Sequence, residues 1–341
     1  MDPGAPGWLG TLLDPLPADA FLSEIWTKQP HLCRGPADRF SSLLTWPALN
    51  RLLAHHWRET YRFRLALQGH DLDPASYADV DARPPRVRSK DVVDQLRCGA
   101  TLSFDGVDEL HEPLTHLAEA FEHIFHDSTQ INVYAGWRAF HGLDLHRDDQ
   151  DVFVLHLDGR KRWLLYGFAI DGIDCGELAR TSTPPAGAIV DEILTAGDLL
   201  YVPRGCYHVA LPMNEPTLHL TVGVKTARSA TDATTKLRPS FSLPWSATAD
   251  RLPPGRELSI RLIADLHRIA DSDASAVSVD LTARGRTYRF PRAMLAIVEL
   301  LSDRRSRSFV EVIEASGLDE GTVRLLTAML LKDGLVAIAD P

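Results

Sequence analysis

Residues 152–166 read VFVLHLDGRKRWLLY, and the reading of this stretch decides the fold. Two β-prone runs, Val152–Leu157 and Arg162–Tyr166, flank Asp158-Gly159, a dipeptide that accepts positive φ and so favours a tight reversal. The pattern predicts a hairpin. Outward from it lie similar short runs, Ile131–Tyr134, Leu199–Val202 and Leu218–Val224, each bounded by turn residues. Short strands at this spacing predict a sandwich or barrel over about 130–225, the jelly roll or cupin being one form.

The flanks read differently. Ala18–Trp26, Trp46–Leu53 and Pro113–His126 carry apolar residues at helical spacing, and the Asp-, Pro- and Arg-rich residues 69–90 read as loop. Residues 226–255 read as a linker and Glu257–Ala270 as a helix. Phe290–Leu301, Phe309–Ala315 and Gly321–Lys332 read as helices, closed by a turn and strand at Asp333–Ile338. Helix, turn, helix, wing is a winged-helix pattern. The expected organisation is therefore α+β: a double-stranded β-helix with N-terminal helices over 1–225, a linker and helical segment over 226–280, and a winged helix over 281–341.

Composition narrows the function classes. The 341 residues hold 36 Lys and Arg against 46 Asp and Glu, a net charge of −10. Surfaces that track nucleic-acid phosphates or anionic lipid need clustered Lys and Arg, so both partners are disfavoured. Within 284–340 nine basic residues stand against eight acidic ones, which disfavours DNA binding by the winged helix. Were that segment to read DNA, Val323 and Arg324 would lie where base contacts are made. Four scattered cysteines with no CxxC pair exclude a disulfide scaffold and a cysteine-type zinc site. No run approaches the roughly 18 apolar residues of a membrane span, and the first residues lack the pattern of a signal peptide. The expected location is the cytoplasm.

Chemistry concentrates in two motifs. His146-Arg147-Asp148 places an imidazole and a carboxylate at i and i+2, on one face of an extended chain. Residues 197–208, GDLLYVPRGCYH, supply a strand, a Pro-Arg-Gly turn and His208. His146, Asp148 and His208 together form a 2-His-1-carboxylate set, which covers one face of iron(II) and leaves the other open. The plain alternative is that His146 and Asp148 are polar rim residues.

These stretches resemble a known family, the JmjC-type ribosomal oxygenases. The resemblance rests on Gly142-Leu143, His146-Arg147-Asp148-Asp149, Val152-Phe153-Val154-Leu155, Gly159-Arg160-Lys161-Arg162-Trp163 and the GDLLYVPRGCYH run. It covers about 130–225 and extends to the C-terminal winged-helix pattern. It implies a 2-oxoglutarate- and Fe(II)-dependent enzyme that uses O2 to hydroxylate a side chain of a protein or peptide, a ribosomal protein among the candidates. It also implies iron ligation by His146, Asp148 and His208, and capture of the co-substrate's distal carboxylate by Lys161. Strand alternation agrees for Lys161, since Lys161 and Trp163 share one face and Arg162 takes the other. Asn132 and Tyr134 match the family's residues upstream of the first ligand, with two readings open: hydrogen bonds to the co-substrate, or satisfied core polarity. Thr221 matches a hydroxyl residue near the cofactor, and His219 shares its strand face. The family's homodimer is implied too, although the segment between barrel and winged helix is short here. A small-molecule or biosynthetic-peptide hydroxylase is the alternative enzyme, because a barrel does not fix its substrate. A non-enzymatic metal-binding cupin or winged-helix regulator is the alternative of another class.

Overall fold

The structure is a computed structural model that describes residues 8–125, 127–138, 142–168, 179–180, 187–225, 242–248, 252, 257–264, 266–268, 277–283, 286–303 and 305–339. The chain divides into two compact units, residues 1–227 and 228–341.

The strands that build the two main sheets of the first unit are β1 (His31–Cys33), β2 (Phe63–Leu67), β3 (His70–Asp71), β4 (Thr101–Phe104), β5 (Ser128–Gly136), β6 (His146–Arg147) and β7 (Asp151–Asp158). They continue with β8 (Lys161–Phe168), β9 (Ala179–Arg180), β10 (Val190–Leu194), β11 (Leu199–Val202), β12 (Cys206–Pro212) and β13 (Thr217–Lys225). An eight-stranded sheet has the order β1-β11-β7-β13-β5-β4-β2-β3, and a five-stranded sheet the order β9-β6-β12-β8-β10. Every pairing in both is antiparallel. The two sheets close on each other through Val152, Val154, Leu200 and Val202 of the large sheet and Trp163, Leu165, Leu194 and Cys206 of the small one. This is the double-stranded β-helix expected from the strand spacing.

The other face of the large sheet packs on helices. Phe153 and Leu155, together with Ile131, Val133, Leu220 and Val222, join a core with Trp8–Leu13, Phe21–Ile25, Trp46–His55 and Glu112–Phe125. Phe153 meets Phe121 edge-on at 4.9 Å and stacks on Trp26 at 5.9 Å. Burying one such side chain contributes about 2–3 kcal/mol. Because β7 is covered on both faces, its sequence is a continuous apolar run rather than an alternation.

The Asp158-Gly159 reversal is real but is not a hairpin. β7 pairs with β11 and β13, whereas β8 pairs with β10 and β12, so the turn carries the chain from one sheet to the other. Gly159 adopts φ +72°, and a Cβ there would lie 2.0 Å from the Pro216 carbonyl oxygen. The arch is closed by the Asp158 carboxylate accepting from the Gly159 N–H (2.9 Å), and by His156 Nε2–H donating to the Gly159 carbonyl (3.0 Å).

In the second unit Ser259–Leu262 forms a strand between Arg307–Ser308 and Val336–Ala339. The helix expected over 257–270 is therefore wrong for its described residues, 257–264 and 266–268, which hold two strands, Ser259–Leu262 and His267–Arg268. Leu258, Ile260 and Leu262 are buried at every second residue, a strand period, and their backbone groups pair across this sheet. The start of the helix expected at Phe290 is instead the end of a strand, Arg286–Pro291, paired with Ser278–Ala283; the helix itself runs Met294–Leu300. Helices Phe309–Ser316 and Glu320–Lys332 follow as anticipated. The first is opened by a Ser308–Glu311 capping box and ended by Gly317 at φ +67°; the second is capped by Asp319. Val323 and Arg324, the residues placed for base contacts, are buried. The Arg324 guanidinium lies over Phe309 at 4.8 Å and pairs with Glu320 at 2.7 Å. Part of the expected linker, residues 226–241, lies outside the described residues. No described helix is long and apolar enough to cross a membrane.

Candidate functional site

His146 and His208 are direct cross-strand partners on β6 and β12, with ring centroids 4.3 Å apart. Asp148 follows β6 immediately, beyond the strand rather than on it, and is tied back by its own carbonyl accepting from the Gly205 N–H at 2.9 Å. Gly205 is free to do this because it sits at φ +77° in the Pro203–Cys206 turn, which joins the large sheet to the small one. The sequence motif GDLLYVPRGCYH is thus a strand, a sheet-switching turn and a ligand strand, with the turn also anchoring the carboxylate segment.

The geometry of the three side chains suits a cation. One ligand atom from each of His146, Asp148 and His208 lies within 4.8 Å of the others. The Asp148 carboxylate is 3.9 Å from His146 Nε2 and 3.6 Å from His208 Nε2. His146 Nδ1–H donates to the Asp144 carbonyl (2.8 Å) and His208 Nδ1–H to the Cys206 carbonyl (3.0 Å). A carbonyl only accepts, so each Nδ1 carries a proton, and in the neutral ring that leaves the Nε2 lone pair directed at the Asp148 side. Two imidazole lone pairs and a carboxylate facing one point are the donor set of a facial triad for non-haem iron(II). Both histidines are buried, whereas the Asp148 side chain keeps 20% of its surface exposed, so the cluster opens on that side.

Lys161 begins β8 and faces the barrel interior with Trp163, while Arg162 points out and forms a two-pronged pair with Asp191. Lys161 is 5% exposed and has no hydrogen-bond or ion-pair partner among the described residues. Burial pulls its ammonium down to about 8. An uncompensated buried cation is costly, and a carboxylate is the chemistry that relieves it. Trp163 stacks on His208 at 6.0 Å, so Lys161, Trp163 and His208 share the interior face of the small sheet.

The large sheet supplies the opposite wall. Register places Arg64, Ser103, Tyr134, His219 and His156 side by side across β2, β4, β5, β13 and β7. Tyr134, His219 and His156 stack nearly parallel, at 5.2 Å and 6.1 Å. The Tyr134 hydroxyl is pushed up chiefly by burial, countered by Arg64, with Asp105 and Asp148 adding to the rise. One rung away, Asn132 is cross-strand to Thr221. The Asn132 side-chain oxygen accepts from the Gly106 N–H (3.0 Å) and from the Gln130 amide (3.1 Å), so that half-buried atom already has partners within the protein. Thr221 lies on the same interior face, half-buried. Arg64 and Ser103 were not singled out from the sequence, because no element was assigned over 63–67 or 101–104.

Comparison with known proteins agrees with this geometry. Residues 109–232 match the JmjC domain family. The Drosophila grimshawi bifunctional lysine-specific demethylase and histidyl-hydroxylase NO66 is 31% identical over 241 residues, which is 68% of this chain and 32% of that protein. The Drosophila simulans protein of the same name is 36% identical over 121 residues, 33% of this chain and 14% of its own length. The chain thus spans about a third or less of the curated relatives it matches. Among solved structures, Escherichia coli YcfD covers 95% of this chain and 98% of its own, with TM-score 0.57 and 17% identity. The same protein has been solved with cobalt and 2-oxoglutarate, at TM-score 0.53. At such identity the likeness shows the fold. Fold, side-chain geometry and family match converge on 109–232, the segment that matches the JmjC domain family.

Proposed function

We propose that this chain is an Fe(II)- and 2-oxoglutarate-dependent oxygenase that hydroxylates a side chain of a protein or peptide. The observation that carries the proposal is the clustered His146–Asp148–His208 set on the same small sheet as Lys161, a buried cation with no counter-charge among the described residues. His146, Asp148 and His208 would hold iron(II) and Lys161 the distal carboxylate of 2-oxoglutarate. With iron and 2-oxoglutarate bound, O2 supplies one oxygen atom to a substrate C–H bond and one to succinate, with release of CO2.

The protein's own part is positioning. The carbonyls of Asp144 and Cys206 fix the imidazole tautomers, and the Gly205 N–H fixes the Asp148 segment. The apolar interior of Val152, Val154, Leu200 and Trp163 keeps water from the cavity floor. Asn132, Tyr134 and Thr221 line the large-sheet wall; Tyr134 and Thr221 are the groups we infer to contact co-substrate or substrate. A ribosomal protein is the favoured substrate class, supported by the names of the E. coli relative, a ribosomal oxygenase, and by the net charge of −10, which suits a basic partner. The C-terminal helix pair and its closing strands read as a winged helix used for protein contact rather than DNA, supported by the burial of Val323 and Arg324.

Calorimetric titration of Mn(II), then of 2-oxoglutarate, into the protein tests the site. The expected result is one metal site, with 2-oxoglutarate binding that depends on metal. In Asp148→Ala metal affinity falls at least 100-fold; metal binding unchanged in that variant refutes the assignment.

A further inference from the structure

His219 sits at the middle of β13, 2% exposed, between two other rings. Tyr134 lies against one face at 5.2 Å and 10°, and His156 against the other at 6.1 Å and 12°. Trp163 meets it edge-on at 5.7 Å. The sandwich fixes the plane of the imidazole and leaves its edge to point into the barrel.

Among the described residues that edge has no hydrogen-bond partner. Nδ1 is fully enclosed without a partner, and neither ring nitrogen has a hydrogen-bond partner among the described residues. His156, by contrast, is anchored through Nε2 to the Gly159 carbonyl. Nδ1 is therefore a buried polar atom left unsatisfied by the described residues whichever tautomer the ring adopts. Folded proteins avoid this. Burial, and after it the charge of Lys161, hold the imidazole well below its ordinary range, so it is neutral and adds no second cation. Lys161 ammonium and Trp163 Nε1–H are likewise buried and unpartnered in the same interior. Unmatched donors gathered around one cavity call for an acceptor-only ligand, and a carboxylate is one.

We propose that His219 donates a hydrogen bond to the distal carboxylate of the 2-oxo acid, beside Lys161, and so positions the co-substrate through a neutral donor held rigid by the Tyr134–His219–His156 ring stack. This rests on the 2-oxoglutarate reading above.

The test compares 2-oxoglutarate with 2-oxopentanoate, which keeps the 2-oxo acid end and lacks the distal carboxylate. Dissociation constants are measured by calorimetry on the full chain loaded with Mn(II). The ratio of the two constants reports recognition of that carboxylate, whereas structural damage weakens both ligands alike. Lys161→Met is expected to collapse the ratio. His219→Phe, which keeps the stacked ring, is expected to lower it about 10- to 100-fold, the range for a charge-assisted hydrogen bond. His219→Asn or His219→Gln, whose amides restore a donor near Nδ1 or Nε2, is expected to regain most of the loss. The inference is overturned if His219→Phe leaves the ratio at the wild-type value, or if Phe, Asn and Gln lower it equally. A wild-type ratio near one would overturn the 2-oxoglutarate reading itself, whereas collapse in Lys161→Met alone would leave that reading standing and remove His219 from it.

Discussion

The Lys161 ammonium makes a prediction that can be worked through in numbers. In the ligand-free protein its pKa lies at about 8, pulled down by burial. Only the charged form attracts a carboxylate, so 2-oxoglutarate binding carries the fraction of protein in which Lys161 is protonated. That fraction is about 0.9 at pH 7 and about 0.1 at pH 9. The dissociation constant should therefore rise about tenfold between these values, the proton being taken up on binding. The sign follows from linkage: the bound dianion raises the lysine pKa, so affinity is full below about pH 8 and lost as pH rises through it. The assay is calorimetry on Mn(II)-loaded protein in two buffers of different ionisation enthalpy, with 2-oxopentanoate as control. Lys161→Arg should flatten the profile, because a guanidinium stays charged throughout. A wild-type profile that is flat, or that 2-oxopentanoate reproduces, would refute the assignment of the distal carboxylate to Lys161.

Other expectations concern the scaffold. His156 is fully buried and held at about 4 by burial first, with the charge of Lys161 adding to it against the Gly159 hydrogen bond. An unfolded chain protonates this histidine below about pH 6.5 and the folded one does not. About 3 kcal/mol of stability should therefore be lost as pH falls from 6.5 through 4, and urea titrations of His156→Gln should show a shallower acid slope. Gly159→Ala puts a methyl against the Pro216 carbonyl at positive φ; a destabilisation of about 3 kcal/mol or more is expected in urea. Ser308→Ala removes the capping box of Phe309–Ser316; about 1 kcal/mol should be lost there, read as faster amide exchange in that helix with metal binding unchanged.

What the sequence carried and what it hid have physical reasons. The clustering of His146, Asp148 and His208 was legible because each sits in a stretch whose backbone demands are local: a short strand before Asp148, and a Pro-Arg-Gly turn before His208. Lys161 was legible through strand alternation, since Trp163 is buried with it and Arg162 is not. The sheet-to-sheet arch at Asp158-Gly159 was hidden, because a tight reversal looks the same locally whether its strands pair with each other or with more distant partners. β2, β4 and the helix Ser89–Arg97 were not assigned, being too short and too weakly patterned to stand out, and with them went the place of Arg64 and Ser103 beside Tyr134. Residues 257–270 misled because five apolar side chains in nine residues satisfy both a helical stripe and a strand alternation. Pairing with Val336–Ala339, far along the chain, decides for the strand.

The central claim is oxygen transfer at the His146–Asp148–His208 site. It is tested most directly by incubating the protein with Fe(II), 2-oxoglutarate and a ribosome-containing extract under ¹⁸O₂, followed by mass spectrometry of succinate and of the proteins. The account predicts labelled succinate together with one labelled oxygen atom on a side chain of one protein, both abolished by Asp148→Ala. Succinate without label, or labelling that persists in Asp148→Ala, would contradict it.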